Sequence, residues 1–104
     1  MNVEITRSAL ADLHRLIAKY EEARPGYGTI FQTAVERAVS NIARSPQLYA
    51  LTEDGIRGLE TRNAIIGRFR VRAVYLVLPD VAKIVSILDG RRRPGSWHSS
   101  MDDG

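Results

Sequence analysis

The stretch "RFRVRAVYLVL", Arg68 to Leu78, constrains the fold of this chain more than any other. Strand side chains alternate between two faces. Phe69, Val71, Ala73, Tyr75 and Val77 therefore share one face. Arg68, Arg70 and Arg72 begin the other, and Val74, Leu76 and Leu78 continue it as apolar. Such a strand is buried on one side at its start and on both sides at its end. A central strand whose arginine-bearing end projects past the core fits that pattern. Pro79-Asp80 then marks a hairpin turn, and "AKIVSILDG" reads as the returning strand, ending at Gly90.

Upstream the period changes. "VEIT", Val3 to Thr6, alternates as a short strand, and Thr6 or Ser8 can cap a following helix. From Ser8 to Ala23, Leu10, Leu13, Ile17 and Tyr20 recur at three- and four-residue spacing, which is one face of an amphipathic helix. "RPGYG" interrupts it. From Thr29 to Arg44, Phe31, Ala34, Val35, Ala38, Val39 and Ile42 line a second helix, which stops at Ser45-Pro46. "QLYALTEDG" connects without a period, with Asp54-Gly55 as a turn signal. "IRGLETRNAII" is a further strand candidate, weakened by Gly58 and Asn63. The expected order is β-α-α-β-β-β, an α+β fold with an N-terminal helical hairpin packed on one face of an antiparallel sheet.

With 104 residues, one domain over 1–104 is expected, with 98–104 as a flexible tail. No cysteine is present, so disulfides and thiolate metal sites are excluded, which suits a reducing cytosol. No apolar run approaches the ~18 residues of a membrane span, and "NVEIT" carries no signal pattern. A cytoplasmic protein without membrane contact is expected. Charge is unevenly placed. From Ile56 to Arg93 nine basic residues face three acidic ones, a balance of +6, while the first 55 residues carry six basic and seven acidic groups, a balance of −1. Eight of those nine are arginine, whose planar fork suits phosphate and carboxylate. The asymmetry points to an anionic partner, either phosphate or an acidic protein surface; a solvated sheet face is the alternative.

The assembled motifs resemble a known family. "ADL..I..Y" in the first helix, "F...V..A...I..SP" in the second, the "R.F.V..VY" strand and the closing "GRRRP..W" follow one another from about Val3 to Trp97. In that order they resemble the RelE/ParE superfamily of toxins from bacterial type II toxin-antitoxin modules, in its ParE-like, plasmid-stabilisation branch. The resemblance implies a curved antiparallel sheet carrying the helical hairpin. It also implies a cognate ParD-like antitoxin that folds over the toxin, in a toxin-antitoxin hetero-oligomer. No cofactor or metal is called for. ParE-like members poison DNA gyrase by binding; RelE-like members are metal-independent endoribonucleases that cut messenger RNA in the ribosome. A domain kept only for antitoxin binding and autoregulation is a third class. Fold alone does not choose among them.

A metal-free cut by 2′-hydroxyl attack needs a base, an acid and cations for the phosphate. Similarity to the RelE pattern puts Arg72 and Arg92 at phosphate-binding arginines, and His98 where a tyrosine stands. It puts Asn63 and Ile65 where lysines stand, and Ile65 neither moves a proton nor binds phosphate. A binding inhibitor asks less: shape, charge and a few anchors. Arg91, Arg92, Arg93 and Trp97 supply those residue types as a target-binding edge. Trp97 reads as a lid on the sheet or as a base-stacking platform, and His14 as a surface residue of the first helix. Arg68, Arg70, Arg72 and Tyr75 are the candidates for antitoxin contact, an acidic segment crossing the arginine row. Gyrase poisoning is the preferred reading, and "DGRRRPGSWHSS" is expected to share one patch with that row.

Overall fold

The hydroxyl of Thr6 accepts a hydrogen bond from the Ala9 N–H at 3.1 Å. It satisfies one of the donors that a first helical turn leaves without an intrahelical acceptor, and so fixes where the first helix begins. In the computed structural model, which describes residues 1–90, 97 and 98, the order is β1 (Asn2–Ile5), α1 (Arg7–Ala23), α2 (Tyr27–Arg44), β2 (Thr61–Ile65), β3 (Val71–Val77) and β4 (Val81–Asp89).

"RPGYG" is the corner of the helical hairpin. Gly26 takes φ of 87°, a left-handed conformation that glycine adopts without a Cβ clash. Glu21 of α1 then caps α2: its carboxylate accepts from the Gly26 N–H at 2.9 Å and the Gly28 N–H at 3.1 Å. A negative group at a helix N-terminus also meets the positive end of the helix dipole. Gly28 is where the two helices touch. A Cβ there would lie 2.8 Å from the Ile17 carbonyl oxygen and 2.9 Å from Glu21 Cβ, closer than packed atoms tolerate.

The sheet order is β1-β4-β3-β2. The β2–β3 and β3–β4 pairs are antiparallel, in keeping with the expected α+β architecture. The β1–β4 pair is parallel, which corrects the expectation of a wholly antiparallel sheet. Direction at that edge is set by how α1 crosses back over β4, which no residue of β1 encodes. After Ile84 the β4 edge has no further β1 partner. Thr6 and α1 take over: the Thr6 N–H donates to the Ile84 carbonyl at 3.0 Å, and Asp12 accepts from the Ile87 N–H at 3.0 Å and the Ser86 hydroxyl at 3.3 Å. A sheet edge is thereby closed by helix side chains.

A β-bulge sits opposite the Val74/Tyr75 step, where Val74 pairs with Ser86 and Tyr75 with Ile84. Val85 is the extra residue. As a result Ile84 and Ile87, three apart, face the same side, while Val85 and Leu88 face the other. On the helix side, Leu16, Phe31, Val35 and Ile42 pack against Val71, Ala73, Tyr75, Ile84 and Ile87. The Phe31 ring centroid lies 4.8 Å from that of Tyr20 and 5.0 Å from that of Phe69. On the outer side Val74, Leu76, Val85 and Leu88 form a smaller cluster with Trp97 over it.

The connector after α2 is tied down twice. The Tyr75 hydroxyl donates to the Pro46 carbonyl at 2.6 Å, and Arg62 donates to the Tyr49 carbonyl at 2.7 Å while pairing with Glu60 at 2.8 Å. Residues 50–52 then run beside β2, with Asn63 N–H to Ala50 O at 3.0 Å and Thr52 N–H to Thr61 O at 2.9 Å. This brings Asp54 to the outer face of the sheet.

Candidate functional site

Arg72 lies on the outer face of β3, opposite Ile65 of β2. One guanidinium nitrogen reaches Asp54 Oδ2 at 2.8 Å; the other reaches Asp54 Oδ1 at 3.2 Å and Asn63 Oδ1 at 2.8 Å. The pair is a bidentate fork, the strong form of this contact. Thr52 joins through its hydroxyl, which bonds Asp54 Oδ1 and accepts from Arg72 at 3.3 Å. The Asp54 side chain is only 8% exposed and that of Arg72 19%. Asp54 also accepts from the indole N–H of Trp97 at 2.9 Å, and His98 Nε2 lies 2.8 Å from the Asp54 backbone carbonyl.

Above this hub opens a concavity of about 640 Å³, whose described lining includes Thr52, Glu53, Asp54, Asn63, Arg72 and Gly90. Two carboxylates and one guanidinium are the charged groups in that lining. Among the described residues no three histidine, aspartate or glutamate side chains converge as metal ligands. No helix among them is long and apolar enough to cross a membrane.

The residues singled out by sequence fall in different places. Arg91, Arg92 and Arg93 lie outside the described residues. Gly90, which precedes them, packs against Arg70: a Cβ at Gly90 would stand 3.1 Å from the Arg70 carbonyl oxygen. Trp97 is 1% exposed and packs on the outer cluster, so its ring covers the sheet and is not an exposed anchor. His98 is exposed. Arg68 and Arg70 do not sit on a strand face. β3 begins at Val71, and residues 67–70 turn between β2 and β3, with the Phe69 N–H bonded to the Ile66 carbonyl at 3.0 Å. The expected arginine row is therefore two exposed turn residues and one strand residue already paired with Asp54. Tyr75 is fully buried on the helix side. His14 is exposed on α1.

A second concavity, about 320 Å³, lies between α2 and the β2–β3 turn. Ile30, Ala34 and Phe69 give it an apolar floor, and Arg37 and Arg68 stand at its rim. Ile30 is 47% exposed, and the Arg68 guanidinium carbon is 6.0 Å from the Tyr27 ring centroid. The sequence pointed to Arg68, Arg70, Arg72 and Tyr75 for antitoxin contact and only Arg68 among them borders this groove. Ile30, Ala34 and Arg37 at three- and four-residue spacing were its signal. Asp54 was read only as a turn residue. Its signal was weaker still: a carboxylate two positions after Thr52, ahead of a basic half.

Residues 3–94 match the family described as "ParE toxin of type II toxin-antitoxin system, parDE". Among solved structures, a chain from the "Chromosomal ParDE TA system from P. aeruginosa" superposes with a TM-score of 0.70 at 20% identity, covering 84% of this chain and 92% of that one. At that identity the likeness concerns the fold. No curated protein matches the chain.

Proposed function

Because the chain belongs to the ParE toxin family of type II toxin-antitoxin systems, we propose that it arrests bacterial growth by binding DNA gyrase and is neutralised by a cognate ParD-like antitoxin. The observation that carries the binding reading over the ribosome-dependent nuclease is the pairing of Arg72 with Asp54 at 2.8 Å. A nuclease of this fold needs arginine charge free to meet the phosphate as it becomes more negative. Here the guanidinium is already neutralised, and a phosphate entering the concavity would meet Glu53 and Asp54 as well as Arg72. Ile65, 59% exposed opposite Arg72, adds hydrocarbon where a proton-transfer group would be useful.

Binding needs no such free cation at the sheet face. Arg91, Arg92 and Arg93 remain our candidates for target contact, while Trp97, buried on the outer cluster, is better suited to support than to contact. For the antitoxin, exposed Arg68 and Arg70 are favoured over Tyr75, which is buried on the helix side, and Arg72, which is paired with Asp54. The groove of Ile30, Ala34 and Phe69 suits an apolar side chain, and Arg37 and Arg68 suit carboxylates beside it.

Purified protein incubated with gyrase should block supercoiling, and messenger RNA should stay intact in cells expressing it. Uninhibited supercoiling together with translation-dependent message cleavage would sink the gyrase reading in favour of the nuclease.

A further inference from the structure

The sheet closes two of its edges and leaves a third open. Residues 50–52 run along the outer edge of β2, and Thr6 and Asp12 close β4 beyond Ile84. β1 lies at the other end of the sheet and pairs only with β4. In that parallel register Glu4 stands beside Lys83, and the Thr6 N–H reaches the Ile84 carbonyl at 3.0 Å. Even-numbered residues of β1 therefore turn their backbone groups toward β4, and odd-numbered ones turn theirs away. The N–H and carbonyl groups of Val3 and Ile5 meet no partner among the described residues. Met1, Ile5 and, in the first turn of α1, Leu10 are 45%, 37% and 41% exposed. β1 also lacks the features that blunt an edge: it has no proline, no lysine and no bulge, and Glu4 is its one charge.

We propose that β1 is a self-association edge: a second copy of this chain adds its own β1 antiparallel to it and joins the two sheets into one. The occupant follows from how the strand fits itself. Outward backbone groups must meet outward backbone groups. Centring the pair on Val3 sets Val3 opposite the partner's Val3, Ile5 opposite the partner's Met1 and Glu4 opposite the partner's Asn2. Backbone bonds are then exchanged at Val3 and Ile5, and the exposed Ile5 and Met1 side chains cover each other. Glu4 comes to lie between Lys83 of its own sheet and the partner's Asn2 amide. A register two residues away would set Glu4 against the partner's Glu4, in the type of pair where side chains stand closest and like charges repel. The twofold axis repeats every favourable contact. An acidic antitoxin strand fits this edge less well, since Glu4 is the only charged side chain β1 would offer it.

Sedimentation equilibrium of the full chain tests this. An edge this short makes a weak dimer, so monomer should pass to dimer between about 10 µM and about 1 mM. Asn2 is exposed, and its replacement leaves the core untouched. Asn2→Lys sets a cation against the partner's Glu4 and should tighten the dimer about fivefold, while Asn2→Glu sets a carboxylate there and should weaken it about fivefold, each pair counting twice by symmetry. The sign is diagnostic. The chain carries a net charge of +3, so general repulsion between copies would weaken Asn2→Lys and tighten Asn2→Glu instead. Ile5→Pro removes an outward N–H that β4 does not use, and should weaken the dimer by more than about tenfold.

Wild type that stays monomeric throughout that range overturns the proposal. So does a dimer that a folded Ile5→Pro leaves intact, or one whose two Asn2 variants rank by net charge or do not differ. Should Ile5→Pro fail to fold, the Asn2 pair decides alone. A monomeric wild type whose binding to a ParD-like antitoxin is weakened by Ile5→Pro gives the edge to the antitoxin, and equally overturns self-association. None of these outcomes bears on gyrase, which the supercoiling assay scores separately.

Discussion

The two faces of the sheet are covered by opposite means. The helix side is roofed by a hairpin whose corner is fixed by Gly26, Gly28 and Glu21. Its core is continuous, with the rings of Tyr20, Phe31 and Phe69 in mutual contact. Among the described residues no helix or strand forms a second layer on the outer side. Val74, Leu76, Val85 and Leu88 are covered by one indole, together with partly buried Ile56, Leu59 and Leu78. That indole is placed by a hydrogen bond to Asp54, which is itself held by an ion pair. One face is thus stabilised by apolar area between regular elements, and the other by a polar hub that recruits a side chain from the end of the chain. The difference predicts that the first face governs global stability and the second governs local placement.

The largest effect should come from the roofed face. Phe31 is fully buried, and the helices and sheet around it are regular elements that relax little. Phe31→Ala therefore loses transfer free energy and leaves a cavity, a destabilisation of about 4 kcal/mol. Urea unfolding measures it as a lowered midpoint.

Trp97→Ala removes a larger ring, yet it should cost less. Its cluster is packed by the loop residues Ile56 and Leu59, which can relax into the space it leaves, so the cavity penalty is smaller. The transfer part alone is ~2 kcal/mol. Hydrogen exchange should show faster opening around residues 52–54 with little change in α1 and α2. Equal costs for the two variants, or uniform loss of protection, would remove the distinction between the faces.

The roofed face was also the more legible in sequence. Both helices follow from the spacing of Leu13, Ile17 and Tyr20 and of Phe31, Val35, Ala38 and Ile42, because a 3.6-residue period survives without knowledge of any partner. The two faces of β3 follow from alternation in the same way, down to Phe69, which stays in the core although its backbone has left the strand. The parallel β1–β4 pairing and the Val85 bulge do not follow, since both depend on what lies across from the strand. The bulge moves Ile87 onto the face that strict alternation would give to Leu88. The arginine row failed because β3 starts at Val71, which leaves Arg68 and Arg70 in a turn. Asp54 was hidden for a related reason. Two of its partners lie 18 residues away at Arg72 and 43 residues away at Trp97, and no local period links such positions.

Tyr75 tests the smallest term, the fastening of the connector that carries Asp54 outward. Its ring is fully buried on the helix side, and its hydroxyl donates to the Pro46 carbonyl at 2.6 Å. Burial pushes its pKa up from 10.0 to about 12, against a lowering influence from the Arg62 guanidinium. The unfolded chain would release this proton near pH 10.0 while the native state keeps it to about 12. Between those values the native state binds more protons, so stability falls as pH rises through the window; below it, both states are protonated and the residue adds no pH dependence. Tyr75→Phe should cost ~1 kcal/mol at neutral pH, the value of one hydrogen bond, and should flatten the alkaline decline. A residual slope from Tyr20, whose pKa burial also raises, should remain. Unfolding midpoints measured across that alkaline range decide it: an unchanged decline in Tyr75→Phe would mean that the hydroxyl is solvated and does not fasten the connector.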